Sequence, residues 1–92
     1  MNILSKDEVT QKLDKLEGWS QSGDSITKEF EHKNFTHAIG FVTKVGIEAE
    51  KADHHPDILI HSWNKVKITL STHDAGGITE KDISLAETIE SF

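Results

Sequence analysis

Apolar residues follow a helical rhythm in three stretches of the chain and an alternating rhythm between them. Ser5-Lys6-Asp7-Glu8 reads as a capping box, in which the serine oxygen accepts from the N3 amide while Glu8 reaches back. Val9, Leu13 and Leu16 then recur at helical spacing until Gly18 offers a stop. Trp19 to Ser22 and Ser25 to His32 flank Gly23-Asp24 and read as a hairpin. Asn34 caps the longest periodic segment, whose stripe of Phe35, Ala38, Ile39, Val42, Val45, Gly46, Ala49 and Ala52 runs to about Asp53. A glycine inside a helix often marks a close approach, so Gly46 is a candidate contact with the sheet or a partner subunit. Pro56 disfavours helical geometry at His55, so this helix should end at or just before that residue.

Asp57 to Ser62 and Lys65 to Thr72 read as a second hairpin turning around Trp63-Asn64. Within it Val66, Ile68 and Leu70 share one face, while Lys67, Thr69 and Ser71 share the other. By that parity His73 lies off the core face or just past the strand end. Gly76-Gly77 break the chain, and Thr79 caps a last helix that turns Ile83, Ala86, Ile89 and Phe92 inward. The order α-β-β-α-β-β-α predicts an α+β two-layer sandwich: a four-stranded antiparallel sheet with three helices on one face. Residues 1–92 are expected to form a single domain, with the other sheet face or a sheet edge left for assembly.

Composition narrows the picture. A chain of 92 residues without cysteine holds a small core unaided by disulfides, and its 35% apolar content makes burial against a second copy a natural supplement. The N-terminus has no basic segment followed by an apolar run, and no stretch approaches a membrane span of roughly 20 residues. A soluble, cytoplasmic protein is the expectation. The net charge is -6 and the lysines are scattered among acids, which argues against direct nucleic-acid binding. Asn34-Phe35-Thr36 matches a glycosylation sequon, but Asn34 serves better as a helix cap.

Candidate chemistry gathers at Glu50-Lys51-Ala52-Asp53-His54-His55-Pro56 and at Leu70-Ser71-Thr72-His73-Asp74. Histidine is the side chain whose ordinary pKa lets it hold or release a proton near neutrality. Two imidazoles fixed by a proline beside carboxylates, with a third supplied by a strand end, suit proton transfer. The plainer alternative is a pair of exposed histidines at a helix C-terminus, favoured by the helix dipole. Glu50 or Asp53 could hydrogen-bond an imidazole. Asp82 completes a capping box with Thr79 and could also orient a histidine. His32 and His37 read as surface residues, and His61 as a packing or surface residue. Three histidines and an acid could hold zinc, but adjacent residues seldom aim at one ion and the helical spacing of four is absent. No metal is expected.

Glu50, His54-His55-Pro56, the aromatic Trp63, His73 and Asp82 together resemble the signature of the pterin-4a-carbinolamine (4a-hydroxytetrahydrobiopterin) dehydratases. The resemblance extends over nearly the whole chain, through Leu16-Glu17-Gly18-Trp19, Phe30, Phe35, Phe41, Asn64-Lys65-Val66, Gly77 and Asp82-Ile83. The chain departs from animal members by one extra residue between Pro56 and the motif aromatic. Ile58-Leu59 stands for their aromatic pair, and Trp63 for their tyrosine.

The resemblance implies the same sandwich fold, paired into homodimers or homotetramers. It implies removal of water from a 4a-hydroxytetrahydropterin to give quinonoid dihydropterin, in tetrahydrobiopterin recycling, without a cofactor. His54, His55 and His73 would be catalytic: His54 and His73 as general acids on either face of the ring, and His55 mainly positioning substrate. Glu50 and Asp82 would support them. Asp53, Ser71, Thr72 and Asp74 would join the histidines in binding the pterin. A competing reading is a protein-binding module, since animal relatives also stabilise dimers of a transcription factor and some distant relatives act as assembly factors.

Overall fold

The computed structural model describes residues 2–92. Its elements are α1 (Lys6–Leu13), β1 (Ser20–Ser22), β2 (Ser25–Glu31), α2 (Phe35–Ala52), β3 (Asp57–His61), β4 (Lys65–Leu70) and α3 (Glu80–Glu90), in the order the patterning predicts. The strands form one antiparallel sheet, β1-β2-β4-β3, so the two hairpins meet through β2 and β4 and leave β1 and β3 as edges.

Strand alternation separates two chemistries. Ile26 lies opposite Leu70 and Phe30 opposite Val66 on the helix-covered face, whereas Thr27 opposite Thr69 and Glu29 opposite Lys67 make the outward face polar. Against the inward face α1 places Val9, α2 places Ala38, Val45 and Ala49, and α3 places Ile83, Leu85, Ala86 and Ile89. The result is the expected α+β sandwich. Leu85 is an inward residue that the Ile83, Ala86, Ile89 stripe omits.

Several local expectations change. The helix α1 stops at Leu13, and Leu16 reaches the core from tighter turns, its amide bonded to Leu13 O at 3.0 Å. Gly18 follows with φ +87°, and a Cβ there would lie 2.8 Å from the Lys28 stem. Lys28 crosses this position to bond Glu17 O and Glu90 Oε2, both at 2.8 Å, and Trp19 Nε1 donates to the same Glu90 oxygen at 3.0 Å. One carboxylate therefore ties the start of β1 to the end of α3.

On α2, Phe41 and Val42 turn partly inward, whereas Phe35 and Ile39 of the expected stripe are exposed. Gly46 is exposed, and among the described residues nothing lies within 4 Å of where a Cβ would stand, so it makes no contact with the sheet. His32 is half-buried and not a fully exposed residue: its ring packs at a tilt against Phe41, 4.6 Å between centroids, and its buried Nε2 has no partner among the described residues. Burial, then the nearby His37, pushes the His32 pKa down. Phe92 stays exposed, with its ring edge-on to Phe41 at 6.1 Å.

The β3–β4 turn begins one residue earlier than expected, with Ser62 and Trp63 left-handed at φ 52° and 56°. Asn64 is buried behind it. Its carbonyl accepts from His32 N at 2.8 Å and its Nδ2 donates to His32 O at 3.0 Å, extending the β2–β4 ladder.

Candidate functional site

The site is built from the ends of three elements. The first is the C-terminus of α2, where Asp53 takes the left-handed conformation (φ 51°, ψ 44°) and His54 N bonds back to Ala49 O at 3.0 Å. This is the wrap that glycine usually supplies, and Asp is among the few other residues that tolerate it. The reversal sends His54 inward, where it is buried, and leaves His55 exposed.

The second end is the start of α3. Asp82 is the N3 residue of a capping box with Thr79 and is fully buried. Its Oδ1 lies 2.5 Å from His54 Nε2, and its Oδ2 accepts from Thr79 N and Thr72 Oγ1, each at 2.9 Å. One hydroxyl carries one proton, so the 2.8 Å contact between Thr79 and Thr72 runs from the Thr79 hydroxyl to Thr72 Oγ1. Thr79 Oγ1 in turn accepts from Lys81 N at 3.2 Å. With Asp82 as a carboxylate that only accepts, His54 donates through Nε2. That fixes the neutral tautomer and leaves Nδ1, which makes no hydrogen bond among the described residues, as the nitrogen free to exchange a proton.

The third end is the loop after β4. Thr72 N bonds Gly77 O at 2.9 Å and Gly76 N bonds Thr72 O at 2.9 Å, closing a short turn that presents His73 and Asp74 to solvent. Ser71 Oγ donates to Asp24 O at 2.7 Å. The hydroxyl protons of Ser71 and Thr72 are thus both committed inside the protein, so these side chains can only accept from a ligand.

These ends converge on an open pocket of about 180 Å³ lined by Asp53, His54, His55, Ser71, Thr72, His73, Asp74 and Lys81. The expected site residues other than Glu50 and Asp82 share this wall. Asp82 lies behind it, holding His54. Glu50 bonds His55 Nε2 at 2.8 Å rather than His54, and both side chains of that pair are exposed, so the contact contributes little energy. Asp53 makes no bond to an imidazole. His61 stands apart, bridging Ser62 and Glu29 across the polar sheet face. Among the described residues no group of three or more histidines or carboxylates is placed to hold a metal ion.

Lys81 is the lining residue that sequence reasoning missed. Its neighbours Thr79 and Asp82 had been absorbed into a helix cap, and nothing in the spacing marks the N2 residue of a helix as facing a pocket. An acid and a base can both work here: an imidazole oriented by a buried carboxylate, two further imidazoles open to solvent, and acceptor groups around them.

Fold and pocket together define a class of small α+β proteins with a histidine-lined, carboxylate-supported ligand site at the junction of a long helix, a strand end and a helix cap. Residues 2–92 match the family described as pterin 4 alpha carbinolamine dehydratase. The chain belongs to that family. It is 49% identical over 87 residues to a Nostoc protein provisionally named a pterin-4-alpha-carbinolamine dehydratase, covering 95% of this chain and 92% of the relative. A relative with the same provisional name from Sulfurisphaera tokodaii is 43% identical over 90 residues, covering 98% and 96%. The crystal structure of a transcriptional coactivator/pterin dehydratase from Brucella melitensis superposes with a TM-score of 0.93 at 37% identity, covering 98% of this chain and 97% of that one. A pterin dehydratase-like RuBisCO assembly factor of the alpha-carboxysome shares the fold, at a TM-score of 0.63 and 19% identity over 79% of this chain and 83% of that one.

Proposed function

We propose that this protein dehydrates 4a-hydroxytetrahydropterin to quinonoid dihydropterin and water, in tetrahydrobiopterin recycling. The observation that carries the reading is His54, fixed by buried Asp82 and sharing one pocket wall with His55 and His73. The elimination balances within the pocket. One imidazolium gives a proton to the 4a-hydroxyl, the C–O bond breaks as water leaves, and the ring-nitrogen lone pair closes a C=N bond. The proton lost from that nitrogen passes to a neutral imidazole, so the pair's proton count is unchanged and proton exchange with water returns each ring to its starting form. His54 and His73 act as the acids on the two ring faces, and His55 positions the substrate. Such acid–base catalysis contributes on the order of 10²–10⁴-fold. Asp53, Asp74 and the accepting hydroxyls of Ser71 and Thr72 suit the N–H donors of the pterin's aminopyrimidinone edge. Strands β1 and β3 leave open edges on which a second copy could extend the sheet into a dimer.

The test is the absorbance decay of freshly generated 4a-hydroxytetrahydropterin with and without purified protein in excess chelator. Acceleration over the spontaneous rate is expected. A folded protein that gives none would overturn the reading and favour a binding module, for which the exposed Phe35, Ile39 and Ile47 of α2 offer an apolar surface.

A further inference from the structure

The catalytic pocket does not end at the histidines. His54 and Lys81 also line a second recess of about 360 Å³, whose other walls are Glu48, Lys51 and Ala52 of α2 and Ser84, Leu85 and Thr88 of α3. A ring seated against His54 thus has a groove opening beside it. From Lys81 to Thr88 the groove follows α3 for seven helical steps, about 10 Å at the rise of a helix. Six of its eight lining residues carry a polar or charged group, set among a surface that is more apolar than polar by area.

Charge divides the two compartments. The pocket proper carries Asp53 and Asp74, acceptors suited to the N–H edge of a pterin. In the groove Glu48 and Lys51 pair at 3.3 Å and offset one another. Nearby, Glu80 pairs with Lys12, also at 3.3 Å. Lys81 makes no ion pair and no side-chain hydrogen bond among the described residues, so its ammonium is an unpaired positive charge where pocket and groove meet. An anion is repelled from the acidic end and drawn to the Lys81 end.

We infer that the α2–α3 groove is a subsite for the substituent at carbon 6 of the pterin ring, and that Lys81 selects a short chain carrying an anionic group such as a phosphate ester. The inference rests on the pterin reading of the pocket and adds the substrate class. It orients the ring with its aminopyrimidinone edge toward Asp53 and Asp74 and its substituted edge toward His54 and Lys81. A chain of three carbons and a phosphate fits the groove's length.

The experiment is equilibrium binding of 7,8-dihydroneopterin and of its 3′-phosphate to the full chain at low ionic strength, which separates binding from turnover. The phosphate ester should bind about tenfold tighter, the effect of one unscreened surface charge, and the preference should shrink as salt rises. Lys81→Gln should bring the ratio of the two Kd values close to unity, and Lys81→Arg should keep it. Ser84→Phe, an exposed position on the groove wall, fills the groove without changing charge and should also lower the ratio. Equal affinities in the parent, or a preference unchanged by Lys81→Gln, overturn the subsite while leaving the dehydration reading intact. Failure of both probes to bind the folded parent overturns both.

Discussion

Asp82 is committed three times over: to His54, to Thr72 and to the amide that opens α3. Asp82→Asn keeps the shape, but its amide nitrogen must face a donor that was bonded to oxygen. Loss of the cap and of a buried charge-assisted bond is expected to cost about 2–4 kcal/mol, seen as a lower denaturant midpoint. Dehydration should slow by roughly 10–100-fold because His54 loses its fixed tautomer. If activity survives in a folded Asp82→Asn variant, Asp82 is a cap and nothing more. His32 carries a different prediction. Its folded pKa lies below the ordinary 6.5, so as pH falls through that value the unfolded chain takes up a proton before the folded one does. Stability attributable to neutral His32 is therefore present above pH 6.5 and lost below it. Between about pH 7 and pH 5 the parent's Tm should fall more steeply than that of His32→Phe, which fills the same place on Phe41 without an orphaned nitrogen. Parallel slopes would show that this site does not couple to folding.

At the scale of elements, the β3–β4 turn holds two non-glycine residues in the left-handed region, and Trp63 is 62% exposed. A side chain in that conformation costs about 1–2 kcal/mol. Trp63→Gly should raise stability by up to about 1 kcal/mol, less than the strain because glycine is freer when unfolded. A loss of stability on calorimetry would mean that the indole contributes packing that outweighs its strain. Other elements were legible in the sequence. The capping boxes at Ser5 and Thr79, the alternation of Val66, Ile68 and Leu70, and the break at Pro56 are local signals that fix elements directly. The early end of α1, the inward Leu85 and the half-burial of His32 depend on what lies across the core, which no local pattern encodes.

For the whole molecule, the proposed function depends on bringing the end of α2, the end of β4 and the cap of α3 together, residues distant in sequence. The histidines and Asp82 were singled out by local chemistry and then by family resemblance. Their wiring was not: Glu50 bonds His55, the Ser71 and Thr72 hydroxyls donate to Asp24 O and to Asp82, and Lys81 faces the pocket. These are facts of orientation, set by packing rather than by spacing. Acid–base dehydration by this pocket is tested most directly with 4a-hydroxytetrahydropterin, the chelated parent and a His54→Ala, His55→Ala double variant whose circular dichroism matches the parent. The account predicts acceleration by the parent and a fall of at least about 10²-fold in the variant. Equal acceleration by both proteins would contradict it.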